Sequence, residues 1–130
     1  MNISHIAIWT NNLEQLREFY CIHFGAKSNE KYVNRIKQFS SYFLTFENGD
    51  CSLELMNKPE LLGPEIQMFN NLVGLAHFSF SVGSKEEVDS LTARFREAGI
   101  AIFSEPRFTG DGFYESAIKD PDGNIVEITI

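Results

Sequence analysis

The sequence contains little cysteine and no long apolar run, and these absences exclude several classes of protein. Cys21 and Cys51 are the only two cysteines, and they lack the CxxC spacing of zinc-binding or redox motifs. The two thiols could form one disulfide, but nothing in the sequence requires it. We expect both cysteines to be reduced and to serve in packing. No apolar run approaches the roughly 20 residues that span a membrane, and no signal-peptide pattern precedes the first predicted strand. The sequence therefore predicts a soluble, cytoplasmic protein.

Basic residues are also few, and they are not clustered. Eleven Lys and Arg stand against eighteen Asp and Glu, which gives a formal net charge of −7. Binding to nucleic acid or to an anionic membrane surface requires a basic stripe or patch, so neither is expected as a partner. The hydrophobic fraction of 43%, with twelve Phe, indicates a well-packed globular protein. A chain of 130 residues is long enough for a single domain over 1–130.

The sequence does contain one pattern that occurs twice. Three pairs of matching landmarks are separated by 72 to 74 positions: His5 and His77, Gly25 and Gly99, Glu54 and Glu127. Such a near-constant offset predicts a tandem β-α-β-β-β repeat. We therefore divide the domain into module 1 (residues 1–56) and module 2 (residues 74–130). They are joined by a linker over 57–73 that is rich in turn-forming residues.

Each half carries the local signals of a strand followed by a helix. The segments that begin at His5 and His77 are rich in apolar residues, as expected for strands with one face in a core. Helix-start residues follow: Thr10, Asn11 or Asn12 in module 1, and Ser84 in module 2. Apolar side chains then recur at helical spacing: Leu13, Leu16, Phe19 and Tyr20, and in module 2 Val88, Leu91, Phe95 and Ala98. Gly25 and Gly99 are suited to left-handed helix ends.

Each half ends in a predicted hairpin whose last strand contains a glutamate. The turns are Asn48-Gly49-Asp50 in module 1 and Asp120–Asn124 in module 2, and both contain strong hairpin signals between apolar runs. Glu54 lies between two leucines, and Glu127 lies between Val126 and Ile128. Strand alternation therefore points each glutamate away from its apolar neighbours.

Four residues then form a candidate metal site. Each half supplies one imidazole near the start of its first strand and one carboxylate in its last strand: His5 and Glu54, His77 and Glu127. Two histidines and two carboxylates suit a divalent metal ion with mixed nitrogen and oxygen ligands. A single surface glutamate is more often only solvated, and a single histidine is more often structural. Their repetition at equivalent positions favours the metal site.

At this point the sequence resembles the vicinal oxygen chelate superfamily, which includes glyoxalase I, bleomycin-resistance proteins and extradiol dioxygenases. The resemblance covers essentially the whole chain. It is carried by four segments: 5–8, Phe19-Tyr20 with Phe24-Gly25, 76–80 and 120–127. The resemblance implies an α+β fold of tandem βαβββ modules whose mixed sheets curl into a cleft that contains the metal.

The resemblance also implies a function. The set His5, Glu54, His77 and Glu127 is similar to the ligand set of glyoxalase I, and one divalent ion (nickel, zinc, cobalt or manganese) is implied. The expected activity is that of a lyase or isomerase acting on a small hydroxy-carbonyl or thiol-adduct substrate, with Glu127 or Glu54 as the base. Members of the superfamily are commonly homodimers. The alternatives are a metal-free, ligand-sequestering protein of the bleomycin-resistance kind and a thiol transferase like those of fosfomycin resistance.

Some residues depart from the glyoxalase I pattern or remain open. The arginine that often follows the first histidine is absent, since this stretch reads Ile8-Trp9-Thr10, and Asn57 only loosely matches the asparagine expected after the Glu54 strand. Arg35, Lys37 and Arg107 could bind an anionic substrate, although solvated surface charge is the commoner role. The segment 109–115 is either a loop over the cleft or, more often for such a sequence, a hairpin turn.

Overall fold

The computed structural model describes residues 2–61 and 74–130. Within these ranges, two helices and nine strands form two mixed sheets, which confirms the predicted fold class. The chain divides into two compact units, Met1–Glu65 and Ile66–Ile130. Most of the predicted linker, residues 62–73, lies outside the described residues. No helix in the described part of the chain is long and apolar enough to cross a membrane.

Module 1 contains one helix and five strands. In chain order they are β1 (His5–Trp9), α1 (Leu13–Phe24), β2 (Lys27–Ser28), β3 (Tyr32–Asn34), β4 (Phe39–Thr45) and β5 (Ser52–Asn57). The sheet order is β1-β5-β4-β2, with β3 also paired to β4, and only the β1–β5 pair is parallel. Module 1 thus has one strand more than predicted, because two short strands pair with different parts of β4.

Module 2 contains one helix and four strands. They are β6 (Phe78–Ser81), α2 (Lys85–Glu97), β7 (Ile102–Phe108), β8 (Tyr114–Lys119) and β9 (Ile125–Thr129). The sheet order is β6-β9-β8-β7, and again only the first and last strands, β6 and β9, are parallel. His77 lies just before β6, one residue outside the strand that it was predicted to begin.

One face of each sheet packs on the helix of its own module. In module 1 the helix contributes Leu13, Leu16, Phe19 and Tyr20, and the strands contribute Ile8, Leu44, Leu53 and Leu55, all of them buried. In module 2 the buried set is Val88, Leu91, Thr92, Phe95, Ser116, Ile118, Val126 and Ile128. The predicted stripes are confirmed except for Ala98, which is exposed because α2 ends before it.

The helix ends follow the sequence signals only in part. Ser84 accepts a hydrogen bond from the Glu87 amide at 3.2 Å, as predicted, and Gly25 and Gly99 adopt φ values of 66° and 74°. The predicted side-chain cap of α1 is wrong, because Asn12 is the N-cap residue and makes no capping hydrogen bond with its side chain. Thr10 instead accepts from the Asn12 amide at 2.9 Å, so its hydroxyl orders the residue before the helix rather than the first turn.

Candidate functional site

In module 1, His5 and Glu54 lie on the sheet face that α1 does not cover. In the parallel register His5 is opposite Ser52 and Ala7 is opposite Glu54, so the side chains of His5 and Glu54 are diagonal neighbours on adjacent strands. The His5 Nε2 atom lies 3.9 Å from a Glu54 carboxylate oxygen. Leu53 and Leu55 are buried against the helix, and the alternation of β5 therefore turns Glu54 to the open face.

The surroundings of this pair orient the imidazole. The Ser4 hydroxyl and His5 Nδ1 are 3.0 Å apart, which leaves Nε2 directed at the carboxylate. The Phe43 ring meets the imidazole edge-on with centroids 5.6 Å apart, and Phe43 is also the strand neighbour of Glu54 in β4. Glu54 is only 15% exposed, whereas His5 is 44% exposed. The pair is thus accessible through its imidazole.

In module 2, His77 and Glu127 repeat this arrangement with a shorter separation. The His77 Nε2 atom lies 3.1 Å from a Glu127 carboxylate oxygen, and the side chains are 45% and 19% exposed. Ser79 and Ala117 are the strand neighbours of Glu127. These small side chains leave more room beside Glu127 than Ala7 and Phe43 leave beside Glu54.

The electrostatic environment of Glu127 differs from that of an exposed carboxylate. Partial burial raises the pKa of Glu127, because desolvation penalises the charged form. A protonated His77 and Arg107 oppose this shift through their positive charge, while Glu115 adds to it as a neighbouring anion. Glu127 therefore belongs to a small charged group on the open face of its sheet.

The structure thus brings together His5 with Glu54 and His77 with Glu127. In each pair a ring nitrogen and a carboxylate oxygen are presented on an open sheet face, which is the donor chemistry that divalent transition metals accept. Neither module, within its described residues, gathers three or more His, Cys, Asp or Glu side chains suited to a metal ion. The four-residue ligand set stays a prediction.

Several other residues named from the sequence have structural contacts. Tyr114 is buried, and its hydroxyl donates to Asp89 of α2 at 2.6 Å, so it faces the helix. The Asn57 side chain donates to the Thr10 carbonyl at 2.7 Å and ties β5 to the end of β1. His23 packs on the Phe19 ring at the end of α1.

The segment between β7 and β8 is a closed hairpin turn. The Thr109 amide donates to the Phe113 carbonyl at 2.8 Å, and the Gly112 amide donates to the Thr109 carbonyl at 3.1 Å. The Thr109 hydroxyl also exchanges hydrogen bonds with the Phe113 backbone. The plain-turn interpretation of residues 109–115 thus describes this segment, and Glu115 follows the turn within β8.

One contact on the open face of module 2 was not foreseen from the sequence. Arg107 and Glu115 are strand neighbours, and the Arg107 Nη1 atom lies 3.1 Å from a Glu115 carboxylate oxygen. Both lie on the same sheet face as Glu127, because Glu115 is two residues from Ala117, the strand neighbour of Glu127. Pro106 was the available signal, since proline inside a strand marks an irregularity that can change which way its neighbours point.

Comparisons with known proteins extend over nearly the whole chain. The family model described as "Glyoxalase/Bleomycin resistance protein/Dioxygenase superfamily" matches residues 2–128. The chain is 28% identical over 130 residues to the uncharacterized protein YqjT of Bacillus subtilis, covering 95% of this chain and 94% of that protein.

Two solved structures are similar in fold. A glyoxalase family protein from Enterococcus faecalis matches with a TM-score of 0.79 and 24% identity, over 99% of this chain and 97% of that one. Lactoylglutathione lyase from Agrobacterium tumefaciens matches with a TM-score of 0.71 and 25% identity, over 98% and 92% of the two chains.

Proposed function

Since the chain belongs to the glyoxalase/bleomycin resistance protein/dioxygenase superfamily, we propose that it is a metal-dependent enzyme of the glyoxalase type. It acts as a lyase or isomerase on a small hydroxy-carbonyl or thiol-adduct substrate. The observation that carries the proposal is the repeated pair of an imidazole nitrogen and a carboxylate oxygen, 3.9 Å apart in module 1 and 3.1 Å apart in module 2. A protein that only sequesters a ligand has no need of this donor set.

The residues that would hold the metal are His5, Glu54, His77 and Glu127. Two features fit that role: both imidazoles are nearly half exposed, and both carboxylates are held on an open face by strands whose other face is buried. When bound, a divalent cation would polarise two neighbouring substrate oxygens and stabilise the negative charge that develops on them. The His5–Glu54 pair and the His77–Glu127 pair that share one ion would belong either to one chain or to two chains of a homodimer.

The chain's own residues would move the proton. In an isomerisation of a hemithioacetal, a base takes the proton from the carbon that bears sulfur and returns it to the adjacent carbon. We assign this role to Glu127, with Glu54 as the alternative. Glu127 stands between Ser79 and Ala117, where a substrate carbon can approach the carboxylate, whereas the Phe43 ring stands beside Glu54.

The first test is metal binding. Purified protein is reconstituted separately with nickel, zinc, cobalt or manganese, freed of excess ion and analysed by inductively coupled plasma mass spectrometry. We expect about one tightly held ion per chain for at least one of the metals. Replacing His5 or His77 by alanine should weaken that ion's affinity by more than the roughly 10–100-fold that loss of an outer-shell partner costs.

His23 offers the matched control. It is the one histidine of the chain outside the two proposed pairs, and it packs on Phe19 at the end of α1. His23→Ala should keep the metal content of the unmodified protein. Equal metal content in the His77→Ala and His23→Ala proteins, or none in any of them, would remove the basis of the enzyme proposal and favour a ligand-sequestering protein.

The second test separates the site from the substrate. Metal-loaded protein is assayed with the hemithioacetal of methylglyoxal and glutathione, and formation of the thioester product is followed. Turnover that falls in the Glu127→Gln protein supports the assignment of the base. Metal binding without turnover would eliminate this substrate but leave the metal site as proposed. The substrate is tested separately because the Ile8–Thr10 stretch lacks the arginine that often follows the first histidine in glyoxalase I.

A further inference from the structure

Arg107 and Glu115 form an ion pair on the open face of the module 2 sheet. The Arg107 Nη1 atom lies 3.1 Å from the Glu115 carboxylate, which is 16% exposed. In β9 the strand neighbour of Glu115 is Thr129, two residues beyond Glu127. A cross-strand row of Ser81, Thr129, Glu115 and Arg107 therefore runs beside the row that contains Glu127.

An irregularity in β7 directs Arg107 to this face. In a regular strand Glu105 and Arg107, two residues apart, would share a face. The pairing of β7 with β8 shifts register on either side of Ser104. Glu105 pairs with Arg96 of α2 on the helix side, whereas Arg107 pairs with Glu115 on the open side. Bulges that re-aim a side chain are concentrated beside active sites.

The corresponding row of module 1 shows that this ion pair is not part of the repeated architecture. There the four strand neighbours are Trp9, Met56, Ser41 and Tyr32, and none carries a charge. The row with the glutamate is similar in the two modules, but the next row is aromatic in one and charged in the other. The charged row is thus a special feature of module 2.

We propose that Arg107 is a specificity-determining residue that binds a carboxylate group of the substrate. The proposal rests on the proposed function, since it places this contact beside Glu127. The ion pair uses one guanidinium nitrogen, and 54% of the Arg107 side chain stays exposed. A guanidinium can therefore bind a second carboxylate through its remaining donors. Glu115 restricts the rotamers of Arg107, which reduces the entropy lost when a ligand binds.

The test compares two small acids that differ by one carboxylate. Lactate and malate share the same 2-hydroxy acid group, and malate carries a carboxymethyl group where lactate has a methyl group. Binding of each is measured by isothermal titration calorimetry to nickel-reconstituted protein and to metal-free protein. We expect the unmodified protein to prefer malate. Arg107→Gln should weaken malate binding about 10-fold or more, the factor that one charge-assisted hydrogen bond contributes, with lactate binding unchanged.

Arg96→Gln is the matched control. Arg96 is 52% exposed and also pairs with a glutamate of module 2, but on the helix side of the sheet. The Arg96→Gln substitution removes one positive charge from module 2, as Arg107→Gln does. A nonspecific electrostatic effect would therefore weaken malate binding equally in both variants. Such equality would overturn the proposal, as would an unmodified protein that binds both acids alike or neither.

Two further measurements keep the result interpretable. If circular dichroism shows that Arg107→Gln does not fold, Arg107→Lys decides, because lysine keeps the charge and the pairing with Glu115 but lacks the planar fork. The Arg107→Lys protein should lose part of the preference for malate, and an unchanged preference overturns the proposal.

If no metal binds, the proposed function fails by itself. An Arg107-dependent preference for malate in metal-free protein would still support the anion site, and its absence there would overturn it.

Discussion

We predict a large loss of stability from a single substitution in the turn that carries Asp120. Asp120 is only 4% exposed. One of its carboxylate oxygens accepts hydrogen bonds from the amides of Asp122 and Asn124 at 3.0 and 2.9 Å, and the other accepts from the Asn124 side chain at 2.9 Å. The turn joins β8 to β9 and so supports the register that places Ala117 beside Glu127. The perturbation is Asp120→Ala.

The magnitude follows from the donors that lose their acceptor. Three N–H groups lose a charged partner, and a buried donor left unpaired costs about 1–3 kcal/mol. Asp122 and Asn124 are partly exposed, and water therefore replaces some of these bonds. We expect the free energy of unfolding to fall by about 2–4 kcal/mol. For a chain of this length that corresponds to a decrease in Tm of roughly 10 °C.

Urea unfolding followed by far-UV circular dichroism measures this loss. Asp120→Asn should fall between the two extremes, because its carbonyl oxygen keeps one acceptor while its amide nitrogen meets a donor of Asn124. Asp50→Ala, in the exposed turn of module 1, is the control and should change stability by no more than about 0.5 kcal/mol. A loss below about 1 kcal/mol for Asp120→Ala, or an equal loss for Asp50→Ala, would refute the reasoning.

Two other predictions concern stability. Thr92 donates to the Val88 carbonyl and lies 2.6 Å from the buried Ser116 hydroxyl, so Thr92→Val should leave Ser116 unpaired and cost about 1–3 kcal/mol in urea unfolding. The double substitution with Ser116→Ala should recover part of that loss, and a purely additive double variant would contradict the paired arrangement. The hydrogen bond from Lys31, assisted by Tyr42, lowers the pKa of Glu14. This stabilisation is present above the unfolded-state pKa and is lost as pH falls through the lower, folded-state pKa. Glu14→Gln should therefore lower Tm at about pH 7 and match the unmodified protein at about pH 2; a Tm difference that does not shrink on acidification would argue against this role.

Much of the fold could be predicted because its signals are local. The alternation around Glu54 and Glu127 depends only on strand periodicity, and buried neighbours on either side determine which way each carboxylate points. Gly25 ends α1 in a left-handed conformation, which any helix end of this type requires. Because the two halves match at a near-constant offset, a strand or helix assigned in one half also identifies its counterpart in the other. For these reasons the pairing of each histidine with its glutamate follows from sequence.

Other features depend on contacts between distant residues, and the sequence could not reveal them. Asn12 was one of three candidates to cap α1, but the Thr10 hydroxyl bonds to its amide and the side-chain cap does not form. The short strands β2 and β3 exist because β4 offers them an edge. Arg107 reaches the open face only because the pairing of β7 with β8 shifts register. A register shift of one residue moves a side chain to the opposite face of the sheet. Whether the shift occurs depends on the partner strand, so the sequence of β7 alone does not reveal it.

The difference between the two open faces bears on how a duplicated module acquires specificity. The proposed ligand set of His5, Glu54, His77 and Glu127 depends on the strand positions that aim those side chains, whereas the adjacent row has no part in aiming them. In module 1 that row begins with Trp9, half exposed, with Lys58 above its ring; in module 2 it ends with Arg107 beside Glu115. Substitutions in this row leave the donor set untouched. Under the proposed function, the repeated histidines and glutamates would together hold one metal ion, while the divergent rows would select the substrate.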